Sequence, residues 1–277
     1  MTARTNAIGI LTVLLAMSAG SASAQWIHYP APGIPRTRSG KPNLFARAPH
    51  TSDGHPDFSG LWLASPDPND PEQGTQGEAL PQHFLDILPG VTHDEIGFTP
   101  WADALFKQRL ADFLKDDPIT RCLPLGVPRQ DASADPLKIV QTRNLIVVLQ
   151  EADASYRQIF LDGRPLPKDP QPSFMGNSAG RWQGDALVIE SNGFRDQGWL
   201  DSYGHPHSDR MRLTERFRRR DFGHMEIAIT IDDPKAYVKP LHYTQALQLI
   251  PDTELIESIC AENERDFRHL VGKNGPQ

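Results

Sequence analysis

The feature that most constrains this chain is a change of period at Leu137. From there to residue 262, apolar residues fall at every second position or in short runs, and Gly, Pro, Asn and Asp gather between them. A two-residue period belongs to a pleated strand with one buried face, not to a helix. The pattern predicts strands at 137–142, 144–150, 156–161, 185–191, 211–219, 224–232, 241–250 and 255–262. Arg143-Asn144, Leu161-Asp162-Gly163-Arg164, Arg220-Asp221-Phe222-Gly223 and Pro251-Asp252-Thr253 read as the turns joining them, and Asp-Gly is a strong hairpin signal. Strands in series on short connections predict a mainly β fold. The expectation is an antiparallel up-and-down barrel, or else a strongly curved sheet or sandwich. Strand and helix do not alternate as βαβ, which argues against doubly wound and α/β-barrel folds.

The N-terminal half is organised differently. Residues 1–24 read as a signal peptide. Arg4 gives the positive region, Ile8 to Ala16 an apolar stretch too short to span a bilayer, and Ser21-Ala22-Ser23-Ala24 a small-residue cleavage site before Gln25. Residues 25–56 carry six prolines, Pro30, Pro32, Pro35, Pro42, Pro49 and Pro56, and read as an extended arm. A single β-rich domain is expected over 57–270, with 271–277 as a tail. Within it a helix is predicted over 100–115, with Thr99 as N-cap and Pro100 in the first turn. Its apolar face is expected to be Trp101, Leu105, Leu110, Phe113 and Leu114.

Export changes how Cys122 and Cys260 read. Two cysteines in an oxidising compartment predict one disulfide. The formal charge of −7 argues against a general nucleic-acid partner, which needs a basic face. A mean hydropathy of −0.47 argues against an integral membrane protein. Periplasmic or secreted location and a small-molecule ligand or substrate are the expectations.

The richest stretch for chemistry is 201–226. His205, His207 and Asp209 alternate, so an extended backbone would send them to one side, the arrangement that gives a metal two imidazoles. His224, Glu226 and His242 are candidates to complete a divalent metal site, with His205, His207 and His224 as its leading set. The same imidazoles also suit metal-free acid–base work, or a turn in which they merely bond to backbone. Glu215 shares a face with Met211, Leu213 and Phe217, which predicts an inward carboxylate. Such a group either pairs with an arginine or stays protonated as an acid. His205, His207, Glu215 and His224 are therefore the candidate catalytic groups, and no other cofactor is predicted. Gly176-Asn177-Ser178-Ala179-Gly180 has the spacing of a nucleophile elbow, but turn and strand follow it instead of a helix. Arg216, Arg218, Arg219 and Arg220 form a cationic run that suits either an anionic ligand or a solvated hairpin tip, and Asp185 reads as a turn residue.

Two resemblances add to this. Gly60-Leu61-Trp62 resembles the G-x-W that opens lipocalin-like calycin barrels. That resemblance implies that Trp62 covers one barrel end and that a late arginine, Arg265 or Arg268, packs on it. Asp57-Phe58-Ser59-Gly60-Leu61-Trp62, Cys122-Leu123-Pro124-Leu125-Gly126-Val127-Pro128-Arg129, Gly180-Arg181-Trp182-Gln183-Gly184-Asp185, Gly204-His205-Pro206-His207-Ser208 and Asp221-Phe222-Gly223-His224-Met225-Glu226 resemble a family of uncharacterised secreted proteins of Gram-negative bacteria. That likeness implies export and carries no activity. The residues themselves leave an enzyme working by hydrolysis, elimination or isomerisation, a non-catalytic carrier of a hydrophobic molecule, or an envelope scaffold docking through its arm.

Overall fold

The computed structural model describes residues 31–65 and 86–262. Nine strands close into one barrel in sequence order. They are β1 (Gly60–Ser65), β2 (Leu137–Gln141), β3 (Leu145–Gln150), β4 (Tyr156–Phe160), β5 (Asn177–Gln183), β6 (Ala186–Asn192), β7 (Arg212–Arg219), β8 (His224–Asp232) and β9 (Leu241–Leu249). β9 returns to pair with β1, so the sheet keeps no open edge.

The barrel is not wholly up-and-down. β4 and β5 run parallel, with Ile159 opposite Ser178. The Asp162-Gly163 turn therefore opens a crossover over 161–176 and makes no hairpin. Parallel neighbours need a long return connection, and this one supplies it. β1 and β5 are strands in addition to those the alternation predicts, whereas 255–262 forms none.

Burial follows the pleat. Along β7, Leu213, Glu215, Phe217 and Arg219 are buried and the residues between them are exposed. Along β8, Met225, Ile227, Ile229 and Ile231 face them from inside. Burying each such aliphatic side chain stabilises the fold by roughly 1.5–3 kcal/mol.

The two barrel ends differ. One end receives the β7–β8 turn and the arm. Trp62 is fully buried there, its Nε1 donating to the Phe58 carbonyl at 2.9 Å. The arginine over its ring is Arg219, 4.8 Å from the centroid, while Arg265 and Arg268 lie outside the described residues. Burial lowers the Arg219 pKa to about 10, and its guanidinium donates to the carbonyls of Asp57 and Phe222. The cationic run is thus split. Arg219 points inward, while Arg216 bonds to Gln183 and Arg220 to Glu226 outside.

The opposite end gathers the long connections. Two helices lie among the described residues, α1 (His93–Ile96) and α2 (Pro100–Ala111). Thr99 caps α2, accepting from the Ala102 N–H at 3.4 Å. The helix ends four residues before the predicted 115, because Phe113 and Leu114 turn to positive φ. Its inward residues are Ala102 and Phe106. Trp101, Leu110 and Phe113 of the predicted apolar face are exposed, because the partner surface is one flank of the barrel rim and not a broad layer.

A buried single-turn 3-10 helix, Arg129–Ala132, closes this end like a plug. It is tied to the preceding 3-10 turn by Asp117, which takes both Arg129 nitrogens at 2.7 Å. Cys122 and Cys260 form the expected disulfide, with Cα atoms 5.4 Å apart and a sequence separation of 138. It fixes the segment beyond β9 to the plug region. No helix among the described residues is long and apolar enough to cross a membrane. The proposed signal segment, the first six residues of the arm and the tail lie outside the described residues.

Candidate functional site

A groove of about 1180 Å³ runs over the plugged end. Asp86, Leu88, Arg129, Ala132, Ser202 and Tyr243 are among the residues that line it. Both the loop leading into β7 and the interior of the barrel meet this groove.

The loop forms its sharpest chemical feature. Asp201 is fully buried and organises 201–205 as a tight turn. Its Oδ1 accepts the N–H groups of Tyr203 at 3.0 Å and His205 at 3.2 Å. Its Oδ2 meets the His205 Nδ1 at 2.5 Å and accepts from the Ile87 N–H at 3.4 Å. A carboxylate can only accept, so Nδ1 carries the proton and Nε2 is left as the basic nitrogen. The imidazole packs into a cluster with two phenylalanine rings that also stack on each other at 5.2 Å. Phe106 stacks on it at 4.9 Å and Phe98 at 5.9 Å between centroids. Gly204, at φ +85°, allows the turn, and a side chain there would press on Arg109 and Leu114 at 3.2 Å. Arg109 secures the same loop, donating to the Gly204 carbonyl at 2.9 Å while its guanidinium lies over Trp199 at 4.6 Å. Burial lowers the Arg109 pKa to about 10.

Asp86 completes the cluster. One ligand atom each of Asp86, Asp201 and His205 lies within 4.8 Å of the others. Burial raises the Asp86 pKa, and the Asp201 charge pushes the same way. A carboxyl group beside an imidazole is an acid–base arrangement. The donor set of two carboxylates and one imidazole also suits a divalent metal. Yet Asp201 already spends both oxygens on four N–H groups, which favours the metal-free use.

The predicted metal set is not assembled. His205 and His207 stand before β7, at the plugged end, whereas His224 opens β8 at the Trp62 end. Roughly eight residues of strand at about 3.3 Å each separate those ends. There His224 pairs with Asp221 at 2.6 Å and packs on Phe45. His207 is buried against Phe194 and Gly198, with Nδ1 3.3 Å from the Ser208 carbonyl. Burial lowers its pKa, so it is a neutral packing group. His242 bonds to Thr230 on the exposed face and is six ladder positions from His224. Asp209 is exposed and faces Lys235 at 3.8 Å, and Glu226 pairs with Arg220. Of the four candidate catalytic groups His205 alone belongs to the Asp86–Asp201–His205 cluster, which reaches the groove wall through Asp86.

Glu215 lies elsewhere, in the barrel interior. It takes a bidentate pair from Arg157 of β4, three strands away, with the Nη1 bond at 2.9 Å. Arg157 also donates to Ser178 of β5 and Ser191 of β6, each at 3.0 Å. Ser178 is therefore a buried strand residue bonded to the arginine and no nucleophile elbow. Asp131 of the plug faces the pair. Burial first, and the Glu215 charge next, raise its pKa well above the ordinary carboxylate range. Protonated, it has a hydrogen to give to Glu215. Asp185 lies in the β5–β6 turn, as expected.

Sequence reasoning passed over Asp201, Asp86, Asp131, Arg157 and Tyr243. Only Asp201 left a local signal, an aspartate four residues ahead of a histidine in a Gly-containing turn. No family model, no curated protein and no solved structure matches the chain.

Proposed function

We propose that this protein is an exported enzyme that performs acid–base chemistry on a small organic molecule held in the groove at the plugged barrel end. The observation that carries the reading is the buried His205–Asp201 pair beside the half-buried Asp86 of the groove wall. Nε2 of His205 acts as the base. Asp201 fixes its tautomer and orientation. Asp86, whose pKa burial raises, supplies a proton to the group that departs or turns over. Hydrolysis, elimination and isomerisation all need such a pair. The disulfide and the N-terminal sequence support export, and the resemblance to a secreted family agrees with it.

The test is a turnover screen of esters, lactones and β-hydroxy acids, repeated with Asp201→Asn. Loss of a fixed general base lowers kcat by about 10²–10⁴-fold. An unchanged kcat in Asp201→Asn removes this reading. The carrier reading keeps one observation in its favour, a closed barrel with apolar residues lining the groove. Mass spectrometry of protein from its native source decides between the two. A stoichiometric hydrophobic ligand, with no turnover in the screen, makes the protein a carrier.

A further inference from the structure

Below the groove the barrel holds a set of polar groups that the dyad does not use. Asp131 bonds to Glu215. Apart from it, four buried side-chain polar atoms without a hydrogen-bond partner among the described residues belong to this one region. They are Gln130 Oε1, Gln150 Nε2 and Oε1, and the Tyr243 hydroxyl. Gln130 and Asp131 enter from the plug, and both are at least 98% buried (0% and 2% exposed). Gln150, also 2% exposed, points inward from β3, two residues beyond Val148, whose ladder partner is Arg157. Tyr243 stands level with Glu215 across Ile229, and its phenol lies within electrostatic reach of the Asp131 and Glu215 carboxyl groups.

Native interiors leave few polar atoms unpaired, since each costs about 1–3 kcal/mol. Four together mark a place built for an occupant. The free atoms comprise one amide donor, one hydroxyl that gives or accepts, and two amide carbonyl acceptors. No cation is free there, because Arg157 spends its guanidinium on Glu215, Ser178 and Ser191. Asp131, kept protonated by burial and by Glu215, adds no free anion. Tyr243 links these groups to the groove, which it lines, while its hydroxyl is buried.

We infer that the barrel interior under the plug is a second ligand site. It takes an uncharged group that both donates and accepts hydrogen bonds, a carboxamide above all, held by Gln150 and Tyr243 with Gln130 opposite. This site stands apart from His205 and does not depend on the acid–base reading.

The probe is acetamide, with acetate as its charged isostere, added to the 15N-labelled mature protein and followed by amide shifts. Acetamide gives saturable shifts centred on Gln150 and Tyr243, and acetate at equal concentration gives none. Gln150→Leu and Tyr243→Phe each weaken acetamide about tenfold, the loss of one net hydrogen bond. His205→Ala leaves acetamide binding unchanged. Equal response to both probes, response to neither, or undiminished binding in both Gln150→Leu and Tyr243→Phe overturns the assignment. Response to neither means that this interior holds water only.

Discussion

Removal of Glu215 puts the interior to its hardest test. In Glu215→Gln the Arg157 guanidinium loses its bidentate partner inside a barrel where it is 1% exposed. Breaking one side of a buried pair typically costs about 3–5 kcal/mol. Here Asp131 changes the sum. Its proton is retained by burial and by the Glu215 charge. With Glu215 gone, the second cause disappears and Arg157, the cation left beside Asp131, draws its pKa down. Glu215→Gln alone therefore costs less than that range, and Asp131→Asn alone costs little, since an amide still donates to Glu215. The double variant leaves Arg157 facing only amides and hydroxyls, and costs the full range of about 3–5 kcal/mol. At roughly 2–4 °C per kcal/mol for a chain of this size, the double variant melts about 6–20 °C lower. Urea unfolding of the wild type, both singles and the double, at pH 7, reads the coupling directly. The account requires the double to lose more than the sum of the singles. Simple additivity, or a large loss in Asp131→Asn alone, would refute a neutral Asp131.

Four further outcomes follow from the same geometry. Asp131 has a folded-state pKa above its unfolded one, so its contribution is whole below the ordinary carboxylate range and is lost as pH rises through the folded value. Stability of the wild type relative to Asp131→Asn should fall across that window by up to about 1.4 kcal/mol per pH unit, read by unfolding at stepped pH. His207 has the opposite sign: its folded pKa is lowered, so its contribution is present above the ordinary imidazole range and is lost as pH falls. His207→Leu should flatten the acid limb of the stability profile below about pH 6.5. Gly204→Ala forces an L side chain to φ +85° against Arg109 and Leu114 and should destabilise by about 1–2 kcal/mol in a thermal melt. Cys122→Ser with Cys260→Ser should cost about 2–5 kcal/mol, with the intact bond read by mass under non-reducing conditions.

What was legible in the sequence was whatever local pattern alone decides. The two-residue alternation of β7 and β8 gives both strands and the turn between them, because one face of each is buried and the other wet. β5 was illegible for the same reason inverted. Its Asn-Ser-Ala-Gly opening lacks bulk, since Leu161, Leu187 and Ile159 fill the space in which a Gly180 side chain would stand. The parallel β4–β5 pairing was hidden behind an Asp-Gly turn that looks like a hairpin and instead starts a crossover. Glu215 was readable as an inward carboxylate, but its arginine comes from β4, three strands away. Only barrel closure brings the two together. The histidines are near in sequence but do not meet at one rim. His224 lies one strand length from His205, and strand direction, not spacing, sets that distance. Asp86 and Asp131 reach their places by long-range packing of the plugged end, which leaves no periodic trace.

The account rests on His205 as the base of the groove. The measurement that tests it most directly compares kcat/KM of His205→Ala and His224→Ala on the first substrate found to turn over. Loss of at least about a hundredfold in His205→Ala, with His224→Ala within twofold of wild type, is the predicted result. A His205→Ala variant as active as the wild type contradicts it.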